Sequence, residues 1–160
     1  MSSTDVSGNP GQAESALGVD MNLEVVTLPV ADVDRAKAFY QRLGWRLDID
    51  LVVSDEVRSV QFTPPHSGCS IQFGKGRTAA EPGSAQAMIL VVKDIDAARA
   101  DLINRGIDVS EVQEMKPPGF DAPGRSYFAR ASFSDPDGIV MENWGLHDHA
   151  SVLAQLRAGS

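Results

Sequence analysis

Few side chains in this sequence combine a reactive type with a spacing suited to chemistry. His147 and His149 alternate in the segment GLHDHA, and two histidines on an extended segment can chelate a metal ion. They lie beyond the last predicted strand and lack a third ligand nearby in sequence, which favours a polar tail. With His66 they are the only imidazoles of the chain, so few of the usual ligands are available to a metal.

The single cysteine, Cys69, is the other candidate for reactivity. A nucleophilic cysteine needs a base or a cation nearby, and none is close to it in sequence. Its apolar neighbours Ile71 and Phe73 favour a buried structural thiol. One cysteine cannot form an intrachain disulfide, which agrees with a reducing compartment.

A carboxylate and an indole share one strand face near the end of the chain. Residues 139–145 read IVMENWG, and alternation along a strand puts Val140, Glu142 and Trp144 on one side. Met141 and Asn143 then point to the other side. Alternation alone therefore places the Glu142 carboxylate and the Trp144 indole on the same face of this strand.

The overall charge limits the partners. Fourteen basic and twenty-two acidic residues give a net charge of −8, which repels phosphate backbones and argues against nucleic acid. A neutral or cationic ligand is easier to accept. No apolar run approaches the roughly 20 residues of a membrane helix, and the first 20 residues carry no secretory signal, so we expect a cytoplasmic protein with no membrane partner.

A repeat defines the elements that position these residues. VADVDRA at 30–36 returns as VKDIDAA at 92–98, and at the same offset Gly44 falls on Gly106. Each copy predicts a strand, a helix capped by aspartate and ended by glycine, and three further strands. The predicted strands are 23–30, 45–51, 57–62 and 69–74 in the first copy, and 87–92, 107–115, 125–134 and 139–144 in the second.

This pattern predicts an α+β fold of two βαβββ modules that form a curved mixed sheet around a cleft. The expected organisation is a disordered tail (1–20), a first module (21–74), a linker (75–84), a second module (85–145) and a C-terminal tail (146–160) with a short amphipathic helix. The loop 116–124 is either a lid over the cleft or a hairpin connection. Two such units can also pack around a solid core.

Three segments resemble the vicinal oxygen chelate superfamily, which includes glyoxalase I, bleomycin resistance proteins and extradiol dioxygenases. They are TLPVADVDRAKAFYQRLGW, LVVKDIDAARADLINRGI and FSDPDGIVMENWG, and the resemblance covers about residues 23–145. It implies the fold just described. It says much less about activity, because one fold hosts unrelated chemistries.

The resemblance also indicates where metal-dependent members hold their ion. The matching positions here are Val25, Ala87, Gln72 and Glu142. Two of these side chains are aliphatic, and Gln72 and Glu142 alone would leave a divalent ion mostly bound by water. We therefore expect no metal and no other cofactor beyond a weakly held divalent ion. A one-residue shift of strand register would instead bring in Glu24 and Gln86.

The resemblance assigns the face of Glu142 to the cleft. The implied ligand-binding residues are Thr27, Gln72, Phe128, Arg130, Ser132, Glu142 and Trp144. Rings with a few polar groups suit a drug-sized organic ligand. Glu142 can also be neutralised by Arg130 as an internal ion pair.

Two functions compete at this stage. The first is a metal-independent binding protein of the bleomycin-resistance kind, which holds an organic ligand in an aromatic, acidic cleft. The second is a lyase or isomerase in which Glu142 acts as general base and Arg130 or Gln72 stabilises the oxyanion. In this superfamily the modules combine within one chain or across a homodimer, and the sequence leaves both arrangements open.

Overall fold

The computed structural model describes residues 18–114 and 129–145. Two modules share one order of elements. The first module comprises β1 (Val25–Thr27), α1 (Val33–Arg42), β2 (Arg46–Ser54), β3 (Val57–Thr63) and β4 (Ser70–Lys75). The second module comprises β5 (Met88–Val92), α2 (Ile95–Asn104), β6 (Gln113–Glu114), β7 (Ala129–Ser134) and β8 (Val140–Gly145). The predicted α+β class with two βαβββ modules is confirmed.

Both helices begin and end at the residues that the sequence indicated. The Asp32 carboxylate accepts a hydrogen bond from the backbone N–H of Arg35 at 3.0 Å, and Asp94 caps α2 in the same way. Gly44 and Gly106 follow the helices with φ of 78° and 74°. Glycine adopts this left-handed conformation without the steric cost that a side chain would add.

Each module forms a mixed sheet of four strands. The strand orders are β1-β4-β3-β2 and β5-β8-β7-β6. β1 runs parallel to β4 and β5 parallel to β8, whereas the other neighbours are antiparallel. Within the described residues no strand pairing joins the two sheets, so β1 and β5 each have one strand neighbour. The helix of each module covers one face of its sheet, and the other face is called the open face below.

One predicted strand is largely absent. The sequence predicted a strand over 107–115, but the structure has only the two residues of β6 there. Ile107 and Val109 are nevertheless buried, at 6% and 9% exposure. Their alternation, which indicated a strand, comes from irregular backbone that packs two side chains into the core.

Two further residues differ from expectation in burial. Cys69 is half-buried rather than buried, and its thiol lies 3.6 Å from the carbonyl oxygen of Ser70. In β2, Ile49 and Leu51 alternate as predicted but remain 43% and 55% exposed. Both pair with β3 opposite the polar residues Gln61 and Ser59, so they lie on the open face of the first module.

Several predictions concern residues outside the described ranges. They are the tail up to residue 17, the loop 116–124, Phe128, the pair His147 and His149, and the C-terminal helix. Neither helix in residues 18–114 and 129–145 is long and apolar enough to cross a membrane.

An aromatic cluster fills the interior of the first module. The Tyr40 ring centroid lies 5.4 Å from those of Trp45 and Phe73 and 5.9 Å from that of Phe62. Tyr40, Phe62 and Phe73 are all fully buried. Ring pairs at this spacing add to the stabilisation that burial of their area already gives.

The same tyrosine joins the two modules. Its hydroxyl donates to the Asp135 carboxylate at 3.0 Å, and Asp135 begins the turn between β7 and β8. Asp137 in that turn accepts from the backbone N–H of Ala31 at 3.0 Å and from the Arg35 guanidinium at 3.1 Å. We call this contact the tyrosine junction.

Burial controls the protonation of the tyrosine junction. It raises the pKa of the Tyr40 phenol well above its ordinary value, and the neighbouring charge of Asp135 adds to the effect. It also raises the pKa of the Asp135 carboxyl, although Ile139, Tyr40 and Asp137 donate hydrogen bonds to it. The second oxygen of Asp137 is buried and has no hydrogen-bond partner among the described residues.

Candidate functional site

The open face of the second module carries the acidic and aromatic residues. Along β8, Met141, Asn143 and Gly145 are buried, while Val140, Glu142 and Trp144 are more exposed and lie on the open face. Strand pairing places Ser132 of β7 beside Glu142 and Arg130 beside Trp144. The alternation that the sequence predicted for β7 and β8 is therefore present.

Both oxygens of Glu142 have partners within this face. The Trp144 indole N–H donates to Glu142 Oε2 at 2.8 Å. A guanidinium nitrogen of Arg130 lies 3.6 Å from Glu142 Oε1, and the two side chains are 38% and 19% exposed. The Arg130 Nε–H in turn donates to the Gln113 side chain at 3.1 Å. The internal ion pair that the sequence allowed is present, and the indole orients the carboxylate further.

Apolar area lies next to this polar group. On β5, Ile89 pairs with Glu142 and Val91 pairs with Trp144. Ile89 is 51% exposed and Val91 is 87% exposed. The sequence analysis did not single out these two residues, because MILVV is apolar throughout and such a run is typical of a strand covered on both faces. Ile89 and Val91 are identified only by the register of β5 against β8, which pairs them with Glu142 and Trp144.

The open face of the first module has a different chemistry. The Gln72 carboxamide donates to the Thr27 hydroxyl at 2.7 Å, and the two residues are paired across β1 and β4. Nearby, the hydroxyls of Thr63 and Ser70 lie 2.7 Å apart. The Thr63 hydroxyl also donates to the Asp48 carboxylate, which Arg46 binds at 2.6 Å. Thr27 and Gln72 themselves are uncharged, and the carboxylate on this face is already engaged by Arg46.

The structure therefore brings the predicted site residues together in two groups. Arg130, Ser132, Glu142 and Trp144 form one, and Thr27 with Gln72 form the other. Within residues 18–114 and 129–145, no hydrogen bond or ion pair connects the two groups. Phe128 lies outside the described residues. The prediction that Gln72 lies across from Glu142 stays a prediction.

The residues at the positions used by metal-dependent relatives do not fit a metal. Thr27 and Gln72 share a face, so Val25, two residues before Thr27, belongs to that face and Glu24 does not. Gln72 is engaged by Thr27, and Glu142 by Trp144 and Arg130. In the part of the chain that the structure describes, no three His, Cys, Asp or Glu side chains converge on a common point.

Comparison with known proteins identifies the family and the fold. A family model described as "Glyoxalase/Bleomycin resistance protein/Dioxygenase superfamily" matches residues 22–142. The structure is similar to TnmS3, an antibiotic binding protein from Streptomyces sp. CB03234, with a TM-score of 0.64 and 27% identity over 81% of this chain and 98% of that chain. A glyoxalase/bleomycin resistance protein from the same organism gives 0.60 and 28%, over 76% of this chain and 98% of that one.

The same fold also occurs in a more distant enzyme. Lactoylglutathione lyase from Agrobacterium tumefaciens is similar with a TM-score of 0.57 and 16% identity, over 79% of this chain and 94% of that chain. At this identity the likeness concerns the fold alone. A search of curated protein sequences found no match.

Proposed function

Since the chain belongs to the glyoxalase/bleomycin resistance protein/dioxygenase superfamily, we propose that it binds a drug-sized organic molecule on the open face of its second module. Binding on this face depends on no metal ion. The antibiotic binding protein TnmS3 supports this proposal, because it shares the fold at 27% identity.

The engagement of Glu142 carries the proposal. Its carboxylate is held by the Trp144 indole at 2.8 Å and by Arg130 at 3.6 Å, so it is a fixed hydrogen-bond acceptor with no further protein group to place. A general base must instead reach the proton that it removes and release it afterwards. A preorganised acceptor beside an indole is better suited to recognition, since little freedom is lost when a ligand binds.

The surroundings indicate the class of ligand. The indole of Trp144 and the exposed side chains of Ile89 and Val91 offer apolar area for a ring system. Arg130 balances the charge of Glu142 locally, while the chain as a whole carries −8. The site therefore favours an aromatic molecule that is neutral or cationic and that donates a hydrogen bond to Glu142.

Two copies of the chain provide one way to complete the cleft. Among residues 18–114 and 129–145 no strand pairing joins the two sheets, and β1 and β5 each have one edge without a strand neighbour there. Val91 on β5 and Leu23 just before β1 are 87% and 70% exposed. A homodimer that pairs these edges would bury both side chains and face the two groups of site residues towards each other. The homodimer is part of the proposal.

A thermal-shift screen with aromatic antibiotics, bleomycin included, tests the proposed function. We expect saturable stabilisation by at least one compound, unchanged when EDTA is present. Glu142→Gln keeps the side-chain shape and removes the charge, so a cationic ligand should lose about 1–3 kcal/mol of binding free energy. Glu56→Gln, the same change on the turn between β2 and β3, should leave the affinity unchanged.

The same variants separate binding from catalysis. If Glu142 is a general base, lactoylglutathione lyase turnover or a related isomerisation should be measurable and should fall about a hundredfold or more in Glu142→Gln while binding survives. That result would replace the binding proposal with the enzyme alternative. Equal affinity of Glu142→Gln and the unmodified protein for every bound cation would move the site away from this face.

A further inference from the structure

The strand registers allow the interiors of the two modules to be compared residue by residue. Val60 pairs with Phe73 in the first module, and Ala131 pairs with Asn143 in the second. This register and the 62-residue offset between the helices give a counterpart for each of the three fully buried rings of the first interior. Tyr40 corresponds to Leu102, Phe62 to Phe133 and Phe73 to Asn143. Two of the three rings are therefore missing from the second module.

A cavity of about 710 Å³ lies where those rings are missing. Leu102, Phe133 and Asn143, the three counterparts, all line it. Trp45 and Pro65 of the first module line the opposite wall. The cavity lies on the helix-covered side of the second sheet and reaches round the outer edge of β5, where Ile89 and Val91, which the main ligand is proposed to contact, also line it. Glu142 and Trp144 do not line it.

Asn143 is the buried polar side chain of this cavity. Asn143 is 5% exposed, and no described residue makes a hydrogen bond with its carboxamide. Its oxygen and nitrogen are open to the cavity, because among the described residues only Asp137 has a sealed polar side-chain atom without a partner, so a ligand in the cavity can bond to them. Its position in the middle of β8, opposite Ala131, fixes the carboxamide at the cavity wall.

We propose that this cavity is a second binding site, for a planar aromatic molecule of one to three rings that carries a hydroxyl or amide group. The ring occupies the space that Tyr40 and Phe73 fill in the first module, and stacks against Trp45 or Phe133. The polar group bonds to the Asn143 carboxamide, which can both donate and accept. The volume lies within the range of known small-molecule sites.

The chemistry of the walls selects this ligand. Most residues that line the cavity are apolar, so an apolar ring contacts more of the wall than a hydrated ion would, while His66, Lys93 and Asp101 add polar groups to the lining. A purely aliphatic molecule would fill space but leave the carboxamide unbonded. A phenol satisfies both conditions, because its ring is apolar and its hydroxyl is the group that Tyr40 carries in the first module.

The probes for the test are p-cresol and toluene, the side chains of tyrosine and phenylalanine. Two-dimensional amide and indole NMR of the full chain should show saturable shifts on adding p-cresol, centred on Trp45, Leu102 and Asn143. Absence of saturable shifts up to the solubility of p-cresol would overturn the proposal. Shifts centred on Glu142 and Trp144 would also overturn it, because the probe would then use the face proposed for the main ligand.

Substitutions then test the missing rings. Leu102→Tyr and Asn143→Phe restore a ring each, so either should abolish binding of both probes. Ile103→Tyr adds the same ring one residue along α2, at a position 47% exposed, and should leave binding unchanged. If the ring-restoring variants bind p-cresol as the unmodified protein does, the cavity is not the site.

A smaller change isolates the carboxamide. Asn143→Leu keeps the volume and removes the hydrogen bond, so p-cresol should bind about tenfold more weakly while toluene binds as before. This variant decides the matter even if a ring-restoring variant fails to fold. Unchanged p-cresol affinity in Asn143→Leu would contradict the role of Asn143.

Discussion

The two modules share one arrangement of helix and strands but place their aromatic side chains differently. In the first, the rings lie inside, and the open face carries uncharged polar groups such as Thr27 and Gln72. In the second, the interior has Leu102 and Asn143 in place of rings, and the open face carries Trp144 with a charged pair. Both open faces hold an engaged carboxylate, Asp48 in the first module and Glu142 in the second, but only the second sets it beside an indole, and we propose binding there although the strand order is the same.

Backbone packing prevents the first module from carrying a ring where the second module carries Trp144. By strand register, Gly74 of the first module is the counterpart of Trp144. A Cβ atom at Gly74 would clash with the backbone carbonyl oxygen of Arg58. The first module therefore cannot present a ring at this position of its open face without moving β3.

The turn between the last two strands of each module also differs, in how it contacts the other module. The turn after β7 is docked by Asp135 and Asp137 onto α1 through the tyrosine junction. The corresponding turn after β3 reads PPHSG, with Pro64 and His66 in the places of those aspartates. It faces the cavity beside Leu102 rather than a tyrosine. The turn after β7 is therefore hydrogen-bonded to the other module, whereas the turn after β3, called the open turn below, borders the cavity.

The largest effect should come from making the first interior resemble the second. Tyr40→Leu removes a fully buried ring and leaves the Asp135 carboxylate without its donor. We expect the free energy of unfolding, measured with urea, to fall by about 3–5 kcal/mol. The reverse change, Leu102→Tyr, should alter it by less than about 1 kcal/mol, because the new ring enters an existing cavity. Equal losses in both variants would show that the interiors are packed alike.

A smaller effect should distinguish the two turns. Asp137→Ala removes the acceptor for the Ala31 N–H and for Arg35, whose side chain is 51% exposed. The Asp137 side chain itself is only 3% exposed, and because one of its oxygens is buried without a partner among the described residues, removing the carboxylate also removes a desolvation cost. We therefore expect a net loss of about 1 kcal/mol in urea unfolding. His66→Ala at the open turn should change stability by less than about 0.5 kcal/mol. A loss for His66→Ala as large as that for Asp137→Ala would mean that both turns hold the modules together.

The fold could be predicted from the sequence because both copies of the repeat carry the same helix and strand signals. Capping aspartates, terminal glycines and the 62-residue offset locate both helices, and alternation locates most strands. The strand predicted from residue 107 was wrong over 107–112, because Ile107 and Val109 are buried there by irregular backbone and not by a strand. Periodicity reports which side chains point inward, and irregular backbone can produce the same pattern.

The site was less predictable, for a physical reason. Alternation placed Glu142, Trp144, Arg130 and Ser132 on one face, but the indole hydrogen bond to Glu142 depends on side-chain rotamers that no spacing encodes. The cavity was not visible in the sequence either. It follows from comparing Asn143 with Phe73, and that correspondence requires the register of strands on both sides.

The smallest predicted effect is a pH dependence that the tyrosine junction has and the open turn lacks. Because the pKa of Tyr40 is raised in the folded protein, the unfolded chain releases this proton first as pH rises past about 10. The stability that depends on the protonated phenol is complete below that pH and is lost above it, at no more than about 1.4 kcal/mol per pH unit. The raised pKa of the Asp135 carboxyl acts in the same direction, but in the acidic range above its ordinary value.

Tyr40→Phe isolates the alkaline part of this dependence. The measurement is the difference in unfolding free energy between the unmodified protein and Tyr40→Phe at pH 8, 10 and 11, in which ionisations common to both proteins cancel. Both proteins keep Asp135 and Asp137, but only the unmodified protein has the Tyr40 phenol, whose pKa burial and Asp135 raise. The difference should therefore shrink above pH 10. A constant difference across this range would mean that Tyr40 ionises as easily in the folded protein as in the unfolded chain, and that the junction is open to water.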